Sequence, residues 1–352
     1  MEDRKKVLIT GVTGQDGSLM ADYLLNNTDN IVVGGIRRLS VKNHENIEHL
    51  VENDRFKLID LDVADQINLE NVIQEEKPDY FINFAANSFV GNSWDMPVNH
   101  MMTNTMAVLY QLDAIRKHVP NCRYYNAGSS EQFGDVDYSP QDIEHPFKPR
   151  SPYGVSKCAA HHLIKVWRES YNIYAVQGIL FNHEGVRRGE EFVTRKISKA
   201  VAEISKSIEK GYPIKRLQLG NLDAKRDWSD AEDFMEGVWK MLNQNQTEGL
   251  PKDYVLASGE TNSIRSFVEE AFWAAGLKYC SWRGEGVEET YCYTKSDGEE
   301  MVVVSINPKF YRPAEVELLL GDSTPARKEL GWEPKTNFKN LVRKMVESDL
   351  NG

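Results

Sequence analysis

Lys5-Lys6-Val7-Leu8-Ile9-Thr10-Gly11-Val12-Thr13-Gly14-Gln15-Asp16-Gly17-Ser18-Leu19-Met20-Ala21-Asp22-Tyr23-Leu24-Leu25 has the pattern of a strand, a glycine turn and a helix. Its first residues form the apolar run of a short buried strand, and from Ser18 onward it reads as a helix. Between them lies a glycine turn of GxxGxxG spacing rather than GxGxxG. Glycines at such a turn let the backbone approach a pyrophosphate, whose charge then sits at the positive end of the following helix. Gly11, Gly14, Gln15, Asp16 and Gly17 are therefore candidate cofactor contacts.

Beyond this unit, strand-like runs at 30–36, 56–61, 80–84 and 122–126 alternate with helical patterns at 66–75 and 98–118. That rhythm predicts an α/β fold, a Rossmann-type doubly wound parallel sheet. Right-handed crossovers would bring the carboxyl ends of the strands, and the motifs that follow them, to one edge. Residues 1–180 are expected to form the nucleotide-binding domain, with segments near 215–242 and 302–313 returning to it. The remainder of 181–352 is expected to form a smaller α/β substrate domain, with loops at 211–213, 246–251 and 295–298.

With 352 residues and a net charge of −11, the chain can bury a large core and does not suit general binding to nucleic acid or a membrane surface. Cys122, Cys158, Cys280 and Cys292 lack CxxC spacing and read as free thiols. There is no signal-peptide pattern or bilayer-spanning apolar run, so a cytoplasmic location is expected. No His, Cys or carboxylate cluster has metal-ligand spacing, so no metal is expected.

The second strand ends in Arg37-Arg38-Leu39-Ser40, where an NAD site usually places a carboxylate for the ribose 2′-hydroxyl. Two guanidiniums suit a 2′-phosphate instead, which points to NADP. Farther on, Tyr153 and Lys157 are spaced to share one helix face. An ammonium beside a phenol is expected to lower its pKa, letting Tyr153 take the proton from an alcohol as its hydride leaves. The turn Gly128-Ser129-Ser130-Glu131-Gln132-Phe133-Gly134 would project two hydroxyls and a carboxylate beside the nicotinamide.

Several segments together carry a resemblance. They are Ile9 to Gly17, Pro149-Arg150-Ser151-Pro152-Tyr153-Gly154-Val155-Ser156-Lys157, Leu180-Phe181-Asn182-His183-Glu184 with Arg187-Arg188-Gly189, Phe192-Val193-Thr194-Arg195-Lys196-Ile197, Gly220-Asn221-Leu222-Asp223-Ala224-Lys225-Arg226-Asp227-Trp228 and Tyr311-Arg312-Pro313-Ala314-Glu315-Val316. With these the chain resembles the extended short-chain dehydrogenase/reductase family, and within it the GDP-mannose branch. The resemblance implies a lyase with tightly bound NADP that turns GDP-mannose, or a close GDP-sugar such as a heptose, into its 4-dehydro-6-deoxy form. It gives Tyr153 and Lys157 to C4 oxidation, Ser129 to the C4 oxygen, and Glu131 to removal of the C5 proton and loss of the C6 hydroxyl. Ser130 takes the place of a separate acid, and an epimerase would need no base at Glu131. By the same resemblance Lys196, Arg226 and Arg312 grip the substrate pyrophosphate, while Asn182, Arg188, Val193 and Glu315 are substrate contacts. Asp62 meets the adenine, Ala85 lies at the cofactor, Ser88 lies near both cofactor and sugar, and His183 orients its loop. A homodimer or homotetramer is the assembly implied.

Overall fold

A computed structural model describes residues 4–41, 43–245, 249–310 and 318–352. In chain order the first half comprises β1 (Lys6–Thr10), α1 (Gln15–Asn27), β2 (Ile31–Ile36), β3 (Phe56–Asp60), α2 (Gln66–Glu76), β4 (Tyr80–Asn83), α3 (Pro97–Met101), α4 (Ala107–His118), β5 (Arg123–Ala127), α5 (Pro152–Tyr171) and β6 (Ala175–Leu180). Every residue of β4 and β6 is buried, as expected of strands covered on both faces by helices. Alternation along β1 sends Val7 and Ile9 into one core with Met20 and Leu24 of α1, and Leu8 into the opposite core with Phe81 and Leu112. The helix expected over 98–118 is interrupted by a π-turn at Met102–Met106. There Asn104 accepts from the Asn87 N–H at 2.9 Å and donates to Ser156 Oγ at 3.1 Å, bonds that turn this stretch toward the neighbouring loop and helix.

The second half comprises β7 (Asn182–Glu184), α6 (Val193–Lys210), β8 (Leu217–Leu219), β9 (Lys225–Arg226), β10 (Trp228–Asp230), α7 (Ala231–Leu242), β11 (Tyr254–Leu256), β12 (Asn262–Ser263), α8 (Ile264–Ala274), β13 (Cys280–Arg283), β14 (Thr290–Thr294), β15 (Glu300–Ile306), β16 (Leu318–Leu319), α9 (Thr324–Leu330) and α10 (Phe338–Asn351). Among the described residues the large sheet is parallel and seven-stranded, in the order β11-β6-β5-β4-β1-β2-β3. The chain builds outward from β1 through β2 to β3, then crosses back to β4 on the other side of β1. That reversal opens a crevice at the carboxyl ends of β1 and β4.

The segments returning to the large sheet differ from those expected. Within 215–242 only α7 returns, packing its buried Phe234, Met235 and Val238 into the core that holds α1. The strands β8 and β15 pair instead with each other in a four-stranded sheet with β13 and β14. The short apolar run of β11, assigned by sequence to the smaller unit, is an edge strand of the large sheet. A separate core unites Ile197, Val201 and Ile204 of α6 with Phe267 and Phe272 of α8, Val303 and Val304 of β15, and Leu341 and Met345 of α10. Among the described residues no helix is long and apolar enough to cross a membrane.

Candidate active site

The turn after β1 is shaped by steric need. Gly11 adopts φ +69°, and a Cβ there would lie 2.8 Å from the Ala85 nitrogen of the loop after β4. A Cβ at Gly17 would lie 2.3 Å from the Gly11 oxygen, so the loop can close on itself only without side chains. Gly14 is the N-cap of α1 and supplies no side-chain acceptor for its first-turn N–H groups. By contrast Asp65, Ser151, Asp230, Ser263 and Asn337 cap α2, α5, α7, α8 and α10 with side-chain oxygens. Helix α6, behind Phe192, also lacks such a cap. Helices α3, α4 and α9 lack such a cap as well, but the first turns of α1 and α6 line one cleft of about 1870 Å³, whose walls include Arg37, Arg38, Asp62, Ala85 and Ser88. Asp62 holds its own loop by accepting from the Ala64 N–H at 3.0 Å.

Between the two helix ends the cleft is lined by Ser129, Ser130, Glu131, Tyr153 and Lys157. Ser129 caps the single turn Ser130–Gln132, which follows β5, and its Oγ accepts the Glu131 N–H at 3.3 Å. The expected lowering of the Tyr153 phenol by Lys157 is not what the structure shows. Burial pushes Tyr153 up to about 12 even though a hydrogen bond with Ser129 and the charge of Arg188 oppose the rise, and the charges of Glu131 and Asp16 add to it. Lys157 Nζ donates to the Ala127 carbonyl at 2.8 Å and stands 5.8 Å from the centre of the Tyr153 ring. Burial draws Lys157 itself down to about 8.

At the α6 end the cleft is lined by Asn182, Arg188, Val193, Lys196 and Arg226. Lys196 Nζ donates to the Gln218 carbonyl at 2.7 Å and lies 3.9 Å from the Phe310 ring centre, where burial lowers its pKa. Arg226 is buried on β9 and donates to the Lys225 carbonyl at 2.8 Å. Arg188 contacts Glu184 at 3.0 Å and stacks 3.6 Å over Phe192. The Asn182 Oδ1 is buried without a hydrogen-bond partner among the described residues, an acceptor that a ligand hydroxyl would satisfy. Arg312 and Glu315 lie outside the described residues. Among the described residues no group of three His, Cys, Asp or Glu is placed to hold a metal ion.

A family model described as GDP-mannose 4,6 dehydratase matches residues 8–345. The chain belongs to the GDP-mannose 4,6-dehydratase family. It is 43% identical to the GDP-mannose 4,6 dehydratase of Drosophila melanogaster, over 99% of this chain and 87% of that relative. To the GDP-mannose 4,6-dehydratase of Vibrio cholerae it is 41% identical, over 99% of this chain and 94% of the relative. Two solved structures share the fold at lower identity. The dTDP-glucose 4,6-dehydratase of Bacillus anthracis in complex with NAD has a TM-score of 0.77 at 18% identity, covering 98% of this chain and 96% of its own. RMD from Pseudomonas aeruginosa complexed with NADPH has a TM-score of 0.74 at 19% identity, covering 99% of this chain and 100% of its own.

In this member of the GDP-mannose 4,6-dehydratase family, the cleft is braced by residues whose partners are remote in the chain. Asn104 holds the loop after β4 to α5, and a single sequence carries no sign of this because its partners are remote. Glu184 ends β7 and pairs with Arg188 of the following loop at 3.0 Å, while Thr194 Oγ1 also donates to Glu184, at 2.5 Å. His183 Nε2 lies 2.9 Å from Asp16 Oδ2, while its Nδ1 donates to the Phe181 carbonyl at 2.8 Å. Burial alone would raise the Asp16 carboxyl, but His183, Gln15 and Arg188 outweigh it and hold Asp16 at about 2. Burial alone would lower His183, yet Asp16 raises it. The stabilisation from Asp16 is thus complete above the ordinary Asp range near ~4 and is lost as pH falls toward about 2. The share from His183 is present at low pH and is lost as pH rises through its elevated pKa. Asp16→Asn is expected to flatten the acid limb of a melting-temperature profile between about pH 4 and 2.

Proposed function

We infer that this chain is a hydro-lyase that converts GDP-mannose to GDP-4-dehydro-6-deoxymannose and water, with NADP as its bound cofactor. The observation that carries this reading is one cleft in which two uncapped helix ends flank the Ser129, Glu131 and Tyr153 cluster. One uncapped end suits the pyrophosphate of a dinucleotide, and the other, with Lys196 and Arg226, suits the diphosphate of a nucleotide sugar. A homo-oligomer is proposed as the assembly, supported by the exposed apolar Val98, Met102 and Val155 around α3 and α5. Light scattering tests it, and a monomer would exclude it.

The residues divide the reaction between them. Tyr153, which lines the cleft with Ser129, removes the proton of the C4 hydroxyl, and Ser129 holds the C4 oxygen. Lys157, fixed by the Ala127 carbonyl, keeps a positive charge beside the developing phenolate. The glycine turn, Arg37, Arg38, Asp62, Ala85 and Ser88 would hold the NADP, whose nicotinamide would supply hydride chemistry between C4 and C6. The C4 ketone acidifies the C5 proton, which Glu131 removes and delivers to the departing C6 hydroxyl. Asn182, Arg188, Val193, Lys196 and Arg226 orient the nucleotide sugar, joined in this role by Arg312 and Glu315. Purified protein incubated with GDP-mannose is expected to yield a product lighter by one water, with no net consumption of NADP. A GDP-heptose run alongside reports how closely the sugar must match, and an unchanged GDP-mannose spectrum excludes the reading.

The preference for NADP rests on Arg37 and Arg38, which line the cleft where β2 ends. A charged hydrogen bond contributes about 1.5–3 kcal/mol, roughly 10–100-fold in affinity. Changing both arginines to Ala is therefore expected to weaken NADP by at least tenfold while leaving NAD nearly unaffected. Calorimetric titration of stripped protein reads this directly, and equal losses for both dinucleotides would reject the assignment.

A further inference from the structure

Gln132 closes the single turn that carries Ser129 and Glu131, and it is wholly buried. Its Oε1 accepts the Ser129 backbone N–H at 2.9 Å. An N–H can only donate, so this bond sets the orientation of the Gln132 amide and leaves Nε2 to donate to Gln177 Oε1 at 3.4 Å. Gln177, wholly buried on β6, accepts a second bond at the same oxygen from His161 Nδ1 at 2.8 Å. His161 must therefore carry a proton on Nδ1. It stands one i,i+4 step beyond Lys157, which is itself one such step beyond Tyr153, so the three share a face of α5.

The packing leaves this chain little freedom. A Cβ at Gly128 would lie 2.8 Å from Gln177 Cδ and 2.9 Å from Gln132 Oε1, so a bare backbone is needed there. From the other side, the Gln177 N–H donates to Asp253 Oδ1 at 2.7 Å, and Arg168 grips that carboxylate at 2.7 and 2.9 Å. Gln177 Nε2 has no partner among the described residues. An apolar side chain would leave no such donor unsatisfied, so what the amide contributes is direction rather than economy of burial.

We propose that Gln132, Gln177 and His161 are positioning residues: a hydrogen-bonded chain of two buried amides and the half-buried His161 that locks the Ser129–Glu131 turn to the helix bearing Tyr153 and Lys157. None of the three lines the cleft. The chain keeps the group acting at C4 and the group acting at C5 in register with one pose of the sugar, and the proposal rests on the dehydratase reading above.

Gln132→Leu and His161→Leu test it against wild type on GDP-mannose. Both are expected to keep KM within about twofold and to lose kcat by roughly 10–100-fold, since a misplacement near ~1 Å costs on the order of 10²-fold. Reduced-nicotinamide absorbance and a 4-keto sugar that retains its C6 oxygen should build up, because C4 oxidation outruns loss of water. His161→Asn, which offers an amide donor near the Nδ1 position, should restore most of the rate. The double Leu variant should be no slower than the slower single one, because both break the same chain. Amide exchange at Ser129, which needs no activity, should accelerate at least tenfold in His161→Leu. Wild-type kcat with unchanged Ser129 exchange would overturn the proposal, as would parallel losses of KM, kcat and melting temperature with no rescue by Asn. If Gln132→Leu does not fold, the two His161 variants carry the test. A wild type that leaves GDP-mannose intact would instead sink the dehydratase reading, and Ser129 exchange would still decide the positioning chain.

Discussion

Tyr153→Phe is expected to lower turnover by about 10²–10⁴-fold while leaving substrate affinity nearly unchanged, because the ring stays and the proton acceptor goes. Burial that pushes the phenol up to about 12 makes it a scarce base at neutral pH, and Lys157 is held at about 8. The wild-type kcat/KM should therefore rise through the neutral range as more phenolate forms and turn over near pH 8, where Lys157 loses its charge. Lys157→Met should remove that alkaline limb together with most of the rate. Steady-state kinetics across pH read both, and a profile indifferent to Tyr153→Phe would take this residue out of the chemistry.

Glu131→Gln should separate oxidation from elimination. Tyr153, Lys157 and Ser129 are untouched by the change, so C4 oxidation continues, whereas loss of water falls by about 10²–10⁴-fold. The variant accumulates reduced-nicotinamide absorbance and a 4-keto sugar retaining its C6 oxygen. Wild type in heavy water should place deuterium at C5 of its product, because the C5 position must be reprotonated from an exchangeable group. A Glu131→Gln enzyme that dehydrates at the normal rate, or a product without deuterium at C5, would make Glu131 a bystander and require another base.

The positions of Tyr153 and Lys157 on one face follow from helix geometry, and sequence alone supplied them. The electrostatics did not follow. Sequence spacing suggested a phenol lowered by its neighbouring ammonium, but desolvation dominates and Lys157 is spent on the Ala127 carbonyl. Likewise Arg37 and Arg38 were legible as a pair of cations at a strand end, whereas the bracing of the Asn87 loop by Asn104 was invisible. Its partners at positions 87 and 156 come near only after the chain has folded.

Local features are written in the chain alone. Apolar Val7, Leu8 and Ile9 make a strand, Gly11, Gly14 and Gly17 make a tight turn, and the order of such units makes a parallel sheet with its loops at one edge. These follow from side-chain size, periodicity and backbone sterics over a few residues. Tertiary structure decided where the short run Tyr254–Leu256 pairs, that β8 and β15 form part of a second sheet, and that His161 reaches the Ser129 turn through two buried amides. Those outcomes depend on which distant groups share a dry interior, where a hydrogen bond or a charge weighs far more than it does in water.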